Sequence, residues 1–536
     1  MRERAAMRWG WRATVAGLGA VGALSFAPLH IWPAALVALA GLYWRVMHVA
    51  ATAARPGRSA FGTGLLFGLG WFSASCFWIA DAFVQRGPEF IVMIPPLVGG
   101  LAVLLSLFWG VACALTARVT GGRGVWLAPL AFASAFSLAE LARGHVLSGF
   151  PWNLPAYAFA PGGWVSQVAA WIGVYGLSFV IVLGCAWLGA GLRARDWRPC
   201  ALGAGLLASL AGLGALRLGA VAAPGALPVQ PGVVMRIISV PFRQSEQFDP
   251  VRRFQIGSSY IAASTAPGIE DVSHLIWPEG AVPGFAIDNE SLLRAVGGDL
   301  AVTTERPPVW IMNSLREEVS PDPRTGEPRS RIYNSSVAVT FDANGNPAIH
   351  SSNDKRKLVP FGEFIPGGEV VEALGARVLS TALGSITGAP EKRAARFPGL
   401  PLGSPQICYE VIFPGLTPRG GARPEFILNQ SNDAWFGAGA GPQQHAAIAR
   451  YRAIEERVPL VRAAANGVSG MFDPYGREVA RVYPGQLHVD TVLPLPGAKG
   501  PNMALISGAL ALLNLCLVLI ARTFGRGGVV GRHTAR

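Results

Sequence analysis

Seven apolar stretches, free of charged residues but for Glu140, follow one another before residue 221, and an eighth lies near the C-terminus. They run near Thr14 to Phe26, Ile31 to Tyr43, Ala60 to Ala80, Phe90 to Ala117, Val125 to Ala142, Gly163 to Leu192, Cys200 to Leu216 and Met503 to Ala521. A helix needs roughly 20 apolar residues to cross a hydrocarbon core about 30 Å thick. Repeated charge-free runs of that length are rarely needed by a protein dissolved in water, so the pattern predicts about eight membrane spans. The first two share one uncharged run from Ala13 to Trp44, divided by Ala27-Pro28-Leu29-His30. Composition agrees: 51% of the 536 residues are hydrophobic and 14% charged, with a mean hydropathy of +0.38. Sixty-six glycines beside 16 tryptophans, with no long Ser, Gln or Glu tract, fit neither collagen, nor a disordered chain, nor a coiled coil.

The net charge of +13 invites a nucleic-acid reading, and its distribution excludes one. Residues 1 to 231 carry fifteen arginines, no lysine and five acids, and four further arginines follow Asn502. Residues 232 to 501 hold twenty-six bases against twenty-seven acids, so the hydrophilic part has no basic excess to offer a phosphate backbone. The arginines instead mark sidedness, because cytoplasmic loops collect Lys and Arg. Arg2, Arg4, Arg8 and Arg12 precede the first span; Arg45, Arg55 and Arg58 follow the second. Arg118 and Arg123 follow the fourth, and Arg193, Arg195 and Arg198 the sixth. The alternate loops are poor in charge, and Gly144 to Gly162 carries no Arg or Lys. Seven crossings from an inside N-terminus put the hydrophilic region outside, and the eighth returns Arg522, Arg526, Arg532 and Arg536 to the cytoplasm. Reading the first segment as a cleavable signal peptide would invert the remaining topology and break the alternation.

The expected organisation is a seven-span region (1–221), a Pro/Gly/Ala-rich linker (222–232), a soluble α/β domain (233–496), a last span (497–521) and a basic tail (522–536). Within the soluble part, short apolar runs divided by Pro, Gly, Asn and Asp predict strands at Val234 to Val240, His274 to Trp277, Val309 to Asn313, Ser335 to Phe341 and Phe426 to Asn429. Asp342-Ala-Asn-Gly-Asn and Asp473-Pro-Tyr-Gly read as hairpin turns. His445 to Arg457 has helical spacing, with Ala447, Ile448, Tyr451 and Ile454 on one face.

Five of the six cysteines (Cys76, Cys113, Cys185, Cys200 and Cys516) fall in or beside spans, leaving Cys408 alone in the soluble part. A lone cysteine there is either buried filler or a working thiol. It follows Gly403-Ser-Pro-Gln-Ile and precedes Tyr409-Glu410, the context of a strand end turning sharply toward a helix, which exposes a nucleophile. A thiol needs a base for its proton and a cation for the charge that follows its attack. Glu279, in Ile276-Trp-Pro-Glu-Gly just past a strand, suits a general base, although it also suits a capping or surface acid. Lys355, in Asn353-Asp-Lys-Arg-Lys-Leu-Val-Pro-Phe-Gly-Glu, suits an oxyanion partner or one member of a solvated basic run.

Glu279, Lys355 and Cys408 occur in the chain order of the nitrilase superfamily catalytic set, and the chain resembles that superfamily's membrane-embedded branch, the apolipoprotein N-acyltransferase family. The resemblance rests on Trp277-Pro-Glu279, Tyr333-Asn-Ser-Ser, Leu358-Val-Pro-Phe-Gly-Glu363, Ile407-Cys408-Tyr409-Glu410, Asn429-Gln-Ser-Asn-Asp433-Ala-Trp435-Phe-Gly, Gly441-Pro-Gln-Gln-His445, Ala449-Arg-Tyr-Arg-Ala-Ile-Glu455 and Asn466-Gly467. It implies a polytopic helical membrane region joined to an α-β-β-α sandwich that faces the periplasm from the bacterial inner membrane. It implies acyl transfer from a phospholipid, through a Cys408 thioester, to the α-amine of a diacylglyceryl-cysteine apolipoprotein, with no cofactor, metal or nucleic acid. Family spacing selects Lys355 over Lys357, makes Glu363 a second acid beside the site, and makes Tyr409, Glu410 and Trp435 supporting or substrate-binding residues. Two features depart from the family: Phe248 stands where a tryptophan usually precedes Asp-Pro, and Ser239-Val-Pro-Phe-Arg-Gln replaces the usual Gln-Gly-Asn-Ile-Pro-Gln. The Arg356-Lys357 pair is also unusually basic, which favours anionic headgroups. The rival readings are a membrane-tethered amidase with water as acceptor, and a transporter with a structural outer domain, for which Asp81 and Glu140 are the few ionisable residues within spans.

Overall fold

Prolines and glycines decide where the apolar runs become helices. In the computed structural model, which describes residues 2–321, 326–364, 386–391, 393–419 and 421–527, the runs form α1 (Arg2–Gly22), α2 (Trp32–Thr52), α3 (Pro56–Ser75), the short α4 (Ile79–Val84), α5 (Gly100–Thr120), α6 (Leu127–His145), α7 (Ala169–Ala194), α8 (Trp197–Gly219) and a C-terminal helix, Met503–Gly527. Proline at the first turn opens α2 and α3, where its missing N–H costs nothing. The fourth run is not one helix: Pro95-Pro96 break it into a 3₁₀ stretch, a π turn and then α5. Eight long helices thus stand where eight spans were expected, and five segments are long and apolar enough to cross a membrane: Trp32–Thr52, Pro88–Thr120, Val165–Ala194, Trp197–Ala226 and Met503–Thr523. The count of eight is not reached on that criterion. The arginines of α1, the glycines and serines of α3, and Glu140 and Arg143 in α6 dilute the other three. Arg532 and Arg536 lie outside the described residues.

The chain divides into two compact units, one from the residues up to Val221 and from Gly500 onward, the other Ala222–Lys499. In the first, small residues let helix backbones touch: a Cβ on Gly70 would sit 1.8 Å from the Ala16 carbonyl oxygen, and one on Gly64 would sit 2.4 Å from that of Trp109. The charge-poor Gly144 to Gly162 segment folds into this unit. Trp152 and Tyr157 are buried, and Phe150 and Phe159 half-buried. The fully buried Arg143 holds the segment down. It pairs with Glu140 through two bonds of 2.9 and 2.6 Å and donates to the carbonyls of Phe150 (2.5 Å) and Trp152 (2.9 Å). Trp109 Nε1 from α5 donates to the same Glu140 at 2.7 Å. Glu140 is therefore a structural counter-ion and is not free for transport.

The second unit alternates short strands with helices and forms two sheets. One sheet has the order β11-β1-β2-β3-β4-β5, from β1 (Val229–Ile238), β2 (His274–Ile276), β3 (Val309–Pro321), β4 (Pro328–Phe341), β5 (Pro347–Asp354) and β11 (His488–Pro494). The other has the order β10-β9-β8-β7-β6, from β6 (Gly403–Ile407), β7 (Phe426–Asn432), β8 (Leu460–Ala465), β9 (Gly470–Phe472) and β10 (Glu478–Arg481). Strands β1, β2 and β3 are parallel, as are β6, β7 and β8. Period-two alternation sorts their side chains into layers. Met235, Ile237, Ile276 and Ile311 meet Phe426, Leu428 and Val461 between the sheets. On its other face the first sheet buries Leu275, Trp277 and Trp310 against α9 (Pro250–Ser264) and α10 (Glu290–Thr303). Helix α11 (Ala440–Glu456), buried along most of its length, contacts β8 of the second sheet. The result is the expected α-β-β-α sandwich. Both expected hairpins are present: the Asp342 side chain accepts from Asn344 N and Asn346 N, and the Asp473 side chain accepts from Tyr475 N and Arg477 N.

Removing one partner of a buried ion pair leaves an uncompensated charge, at a cost of about 3–5 kcal/mol. Arg143→Met is expected to lose that much stability, read as a large drop in melting temperature of the detergent-solubilised chain; unchanged melting would exclude the clamp.

Candidate active site

The parallel strands of the two sheets deliver the candidate residues from their carboxyl ends, where open α/β sheets place ligands. Glu279 lies three residues beyond β2, Cys408 directly follows β6, and Asn432 and Asp433 stand at the end of β7. Lys355 directly follows β5, which the register pairs with β4 so that Asp354 lies opposite Ser335.

Lys355 is 1% exposed, which excludes the solvated-run reading. Its Nζ lies 2.8 Å from Glu363 Oε1 and 3.6 Å from Glu279 Oε1. Burial alone would drive the proton off this ammonium. The two carboxylates, with Cys408 nearby, reverse that and hold its pKa above the usual lysine value. Glu279 is fixed at both oxygens, since Asn334 Nδ2 donates to Oε1 at 2.8 Å and the Asn432 backbone N–H to Oε2 at 3.1 Å. Asn334 is itself oriented by Asn313, whose Nδ2 donates to Asn334 Oδ1 at 2.6 Å. Glu363 closes its own turn by accepting from Val359 N at 2.8 Å.

Cys408 sits at φ +47°, in the left-handed region that a side chain normally avoids, at a cost of about 1–3 kcal/mol. A single 3₁₀ turn, Cys408–Ile412, follows β6 in place of the expected helix. The thiol is 8% exposed, and burial pushes its pKa up. The charges of Glu279 and Asp433 push it further, while Lys355 and the Ser431 hydroxyl pull it down. The sulfur therefore rests as a protonated thiol and needs a base at the moment of attack. Glu279, Lys355 and Cys408, read separately from the sequence, are thus electrostatically coupled in one place.

The supporting residues divide by what they touch. Glu410 is fully buried and accepts three backbone N–H bonds: from Ile407 at 2.8 Å, Arg356 at 2.8 Å and Lys357 at 3.2 Å. It staples the Cys408 turn to the Lys355 segment. Tyr409 is buried edge-on to Phe413, at a centroid distance of 5.0 Å, and burial raises its pKa despite Lys355. Lys357 lies 5.0 Å over the Phe413 ring, so it packs on an aromatic face. Trp435 is half-buried and meets the exposed Phe248 edge-on at 6.5 Å. Sequence reasoning gave no role to Asn313, Asn334, Asn432 or Arg462. The one signal was Arg462 itself, a charge within the apolar strand Leu460–Ala465. Among the described residues, no group of three or more His, Cys, Asp or Glu could hold a metal ion.

Comparison with known proteins places both parts of the chain in known families. Residues 18–187 match the model of the apolipoprotein N-acyltransferase N-terminal domain, and residues 247–489 match that of carbon-nitrogen hydrolases. The apolipoprotein N-acyltransferase of Bradyrhizobium diazoefficiens is 33% identical, over 96% of this chain and 96% of its own length. That of Rhodopseudomonas palustris is 34% identical over 92% and 91%, and that of Caulobacter vibrioides 35% over 87% and 85%. With a helical unit of membrane-crossing length and a carbon-nitrogen hydrolase sandwich in one polypeptide, the chain belongs to the apolipoprotein N-acyltransferases, a family of membrane enzymes.

Proposed function

We propose that Glu279, Lys355 and Cys408 carry a two-step acyl transfer from a phospholipid to the N-terminal α-amine of an apolipoprotein. The observation that carries this reading is a thiol at a strained turn, coupled to a carboxylate and to an ammonium that lie 3.6 Å apart. Glu279 takes the Cys408 proton while sulfur attacks the ester carbonyl. The oxyanion forms against the Lys355 ammonium, which is already desolvated and needs no reorganisation. The carbon–oxygen bond breaks, Glu279 returns its proton to the departing lysophospholipid oxygen, and the acyl group stays on sulfur. In the second step the α-amine attacks the thioester. Glu279 accepts a proton from the nitrogen, the carbon–sulfur bond breaks, and that proton restores the thiol.

A membrane unit in the same chain suits these substrates. Acyl chains gain about 0.8 kcal/mol per buried CH₂ by staying in lipid, so a site served only through water would have to overcome extraction. The alternation of arginines supports a catalytic unit facing the periplasm from the inner membrane. The exposed Arg356 and the half-buried Lys357 support a preference for anionic headgroups.

Mass spectrometry of the Cys408 peptide after exposure of the full-length protein to phospholipid should find an acyl adduct, absent in Cys408→Ala. Amide-linked acyl peptide as product supports transfer; free fatty acid alone would make the protein a hydrolase, and full activity in Cys408→Ala would end the thiol mechanism. Single-turnover acylation should slow by about 10²–10⁴-fold in Glu279→Gln, the usual contribution of a positioned base. It should slow by about 10²–10³-fold in Lys355→Met, as for loss of an oxyanion partner.

Sidedness has its own test. Val302, 87% exposed on α10, offers a surface position in the catalytic unit. Val302→Cys should react with a membrane-impermeant maleimide in intact spheroplasts; labelling only after lysis would place the unit inside the cell.

A further inference from the structure

Cys408 is tied on both sides by a chain of buried polar groups that the acyl-transfer steps do not use. The chain starts two residues before the nucleophile, where Asn429 Nδ2 donates to the Gln406 carbonyl at 2.7 Å. Asn429 Oδ1 in turn accepts from Arg462 Nη1, and the register places these two residues opposite one another on β7 and β8. Arg462 Nη2 lies 2.6 Å from Asp433 Oδ2. Asp433 Oδ1 lies 2.9 Å from His445 Nδ1, and the Ser431 hydroxyl donates to the same oxygen at 2.6 Å. The circuit closes on the nucleophile, because His445 Nε2 lies 3.3 Å from the Cys408 carbonyl oxygen. Asn429, Asp433, His445 and Arg462 are all 0% exposed.

Four elements therefore converge on the turn from Gln406 to Cys408: β6 leads into the nucleophile, β7 and its end carry Asn429 and Asp433, α11 carries His445 and β8 carries Arg462. The charges are arranged for permanence. Burial favours the neutral form of Asp433, but Arg462 and His445 hold its pKa down at about 2. A carbonyl oxygen and an ionised carboxylate can each only accept, so the contacts at Cys408 and Asp433 together require a proton on both ring nitrogens of His445; burial and Arg462, whose Nη2 lies 3.3 Å from Nδ1, lower the His445 pKa, and Asp433 opposes them. The ring is held edge-on to Phe436 at a centroid distance of 5.6 Å. Gly467 leaves room for the carboxylate, since a Cβ there would come within 2.4 Å of Asp433 Oδ2.

We propose that His445, oriented by Asp433 and Arg462, is a positioning residue for the nucleophile: its Nε2–H donates to the Cys408 carbonyl and holds Cys408 in the left-handed conformation that keeps its sulfur beside Glu279 and Lys355. The inference rests on Cys408 being the acylated group. Without this bond the turn relaxes toward ordinary φ values and the sulfur swings out of register with the base. Displacements of about 1 Å at a reacting atom cost on the order of 10²-fold in rate.

Two conservative replacements separate positioning from bulk packing. His445→Gln puts an amide N–H near the place of Nε2 and can still donate to Cys408. His445→Asn reaches only the place of Nδ1 and keeps the Asp433 side of the contact alone. With full-length protein in detergent–phospholipid micelles, single-turnover acylation of Cys408 is followed by mass spectrometry over a range of phospholipid concentrations. The expected result is that His445→Gln acylates within about tenfold of the native rate while His445→Asn falls by about 100-fold with little change in the half-saturating phospholipid concentration. Equal rates in the two variants, whether both fast or both slow, would overturn the proposal. Failure of the native protein to acylate Cys408 at all would instead overturn the acyl-transfer reading on which it rests.

Discussion

One ammonium buried between two carboxylates fixes the geometry on which the candidate site depends. Taking the Lys355 ammonium out of water costs several kcal/mol, and the contacts at 2.8 and 3.6 Å to Glu363 and Glu279 offset that cost only if all three groups stay together. The triplet therefore pins the end of β5, the turn after Leu358 and the loop after β2 to a single point. Two carboxylates against one ammonium also leave a net negative charge. Burial and the charges of Glu279 and Asp433 push the Cys408 pKa up. The same cation tempers this effect at rest, since Lys355 pulls the Cys408 pKa down.

Acids of the same type do different work here because their partners differ. Glu410 accepts three backbone N–H groups and is used up in holding two chain segments together. Glu363 is shared between Lys355, the Val359 N–H of its own turn and, at 3.4 Å, the Asn334 amide. Glu279 takes the Asn334 amide at 2.8 Å and the Asn432 backbone N–H at 3.1 Å, stands 3.6 Å from Lys355, and is the charge that most raises the Cys408 pKa after burial. Chemical identity would not have separated the three; the number and kind of their donors does.

How much of this was legible in the sequence follows the range of the forces involved. Strands β1, β2, β3, β4 and β7 and both hairpins were legible because alternation and Asp-Asn-Gly turn chemistry act over a few residues. Cys408 stood out as the lone cysteine of the soluble part and Glu279 by its place just past a strand, whereas Lys355 was separated from Arg356 and Lys357 only by the resemblance. The bonds that orient them were not. Asn334 meets Glu279 across 55 residues of chain, the Asn432 N–H meets it across 153, and Arg462 meets Asp433 across 29. No periodicity encodes such pairings. In the membrane unit, the hold on the Gly144 to Gly162 segment was not legible because Arg143 lies just outside it and acts on its carbonyls.

Arg143 and Arg462 together point to a rule for this chain. Each is fully buried, each is neutralised by a carboxylate, and each spends its remaining donors on groups that regular secondary structure leaves unpaired. Arg143 satisfies the carbonyls of Phe150 and Trp152. Arg462 satisfies the Val468 carbonyl, at 3.0 Å, and the side chain of Asn429. Guanidinium is suited to this because it keeps its charge when buried and offers several donors in a fixed plane. An apolar side chain in either place would pack well and still leave carbonyls orphaned, and an orphaned buried acceptor costs about 1–3 kcal/mol. The irregular segments are therefore held by charge where apolar packing has no backbone hydrogen bonds to offer, and the nucleophile's left-handed turn is one of the places where that matters.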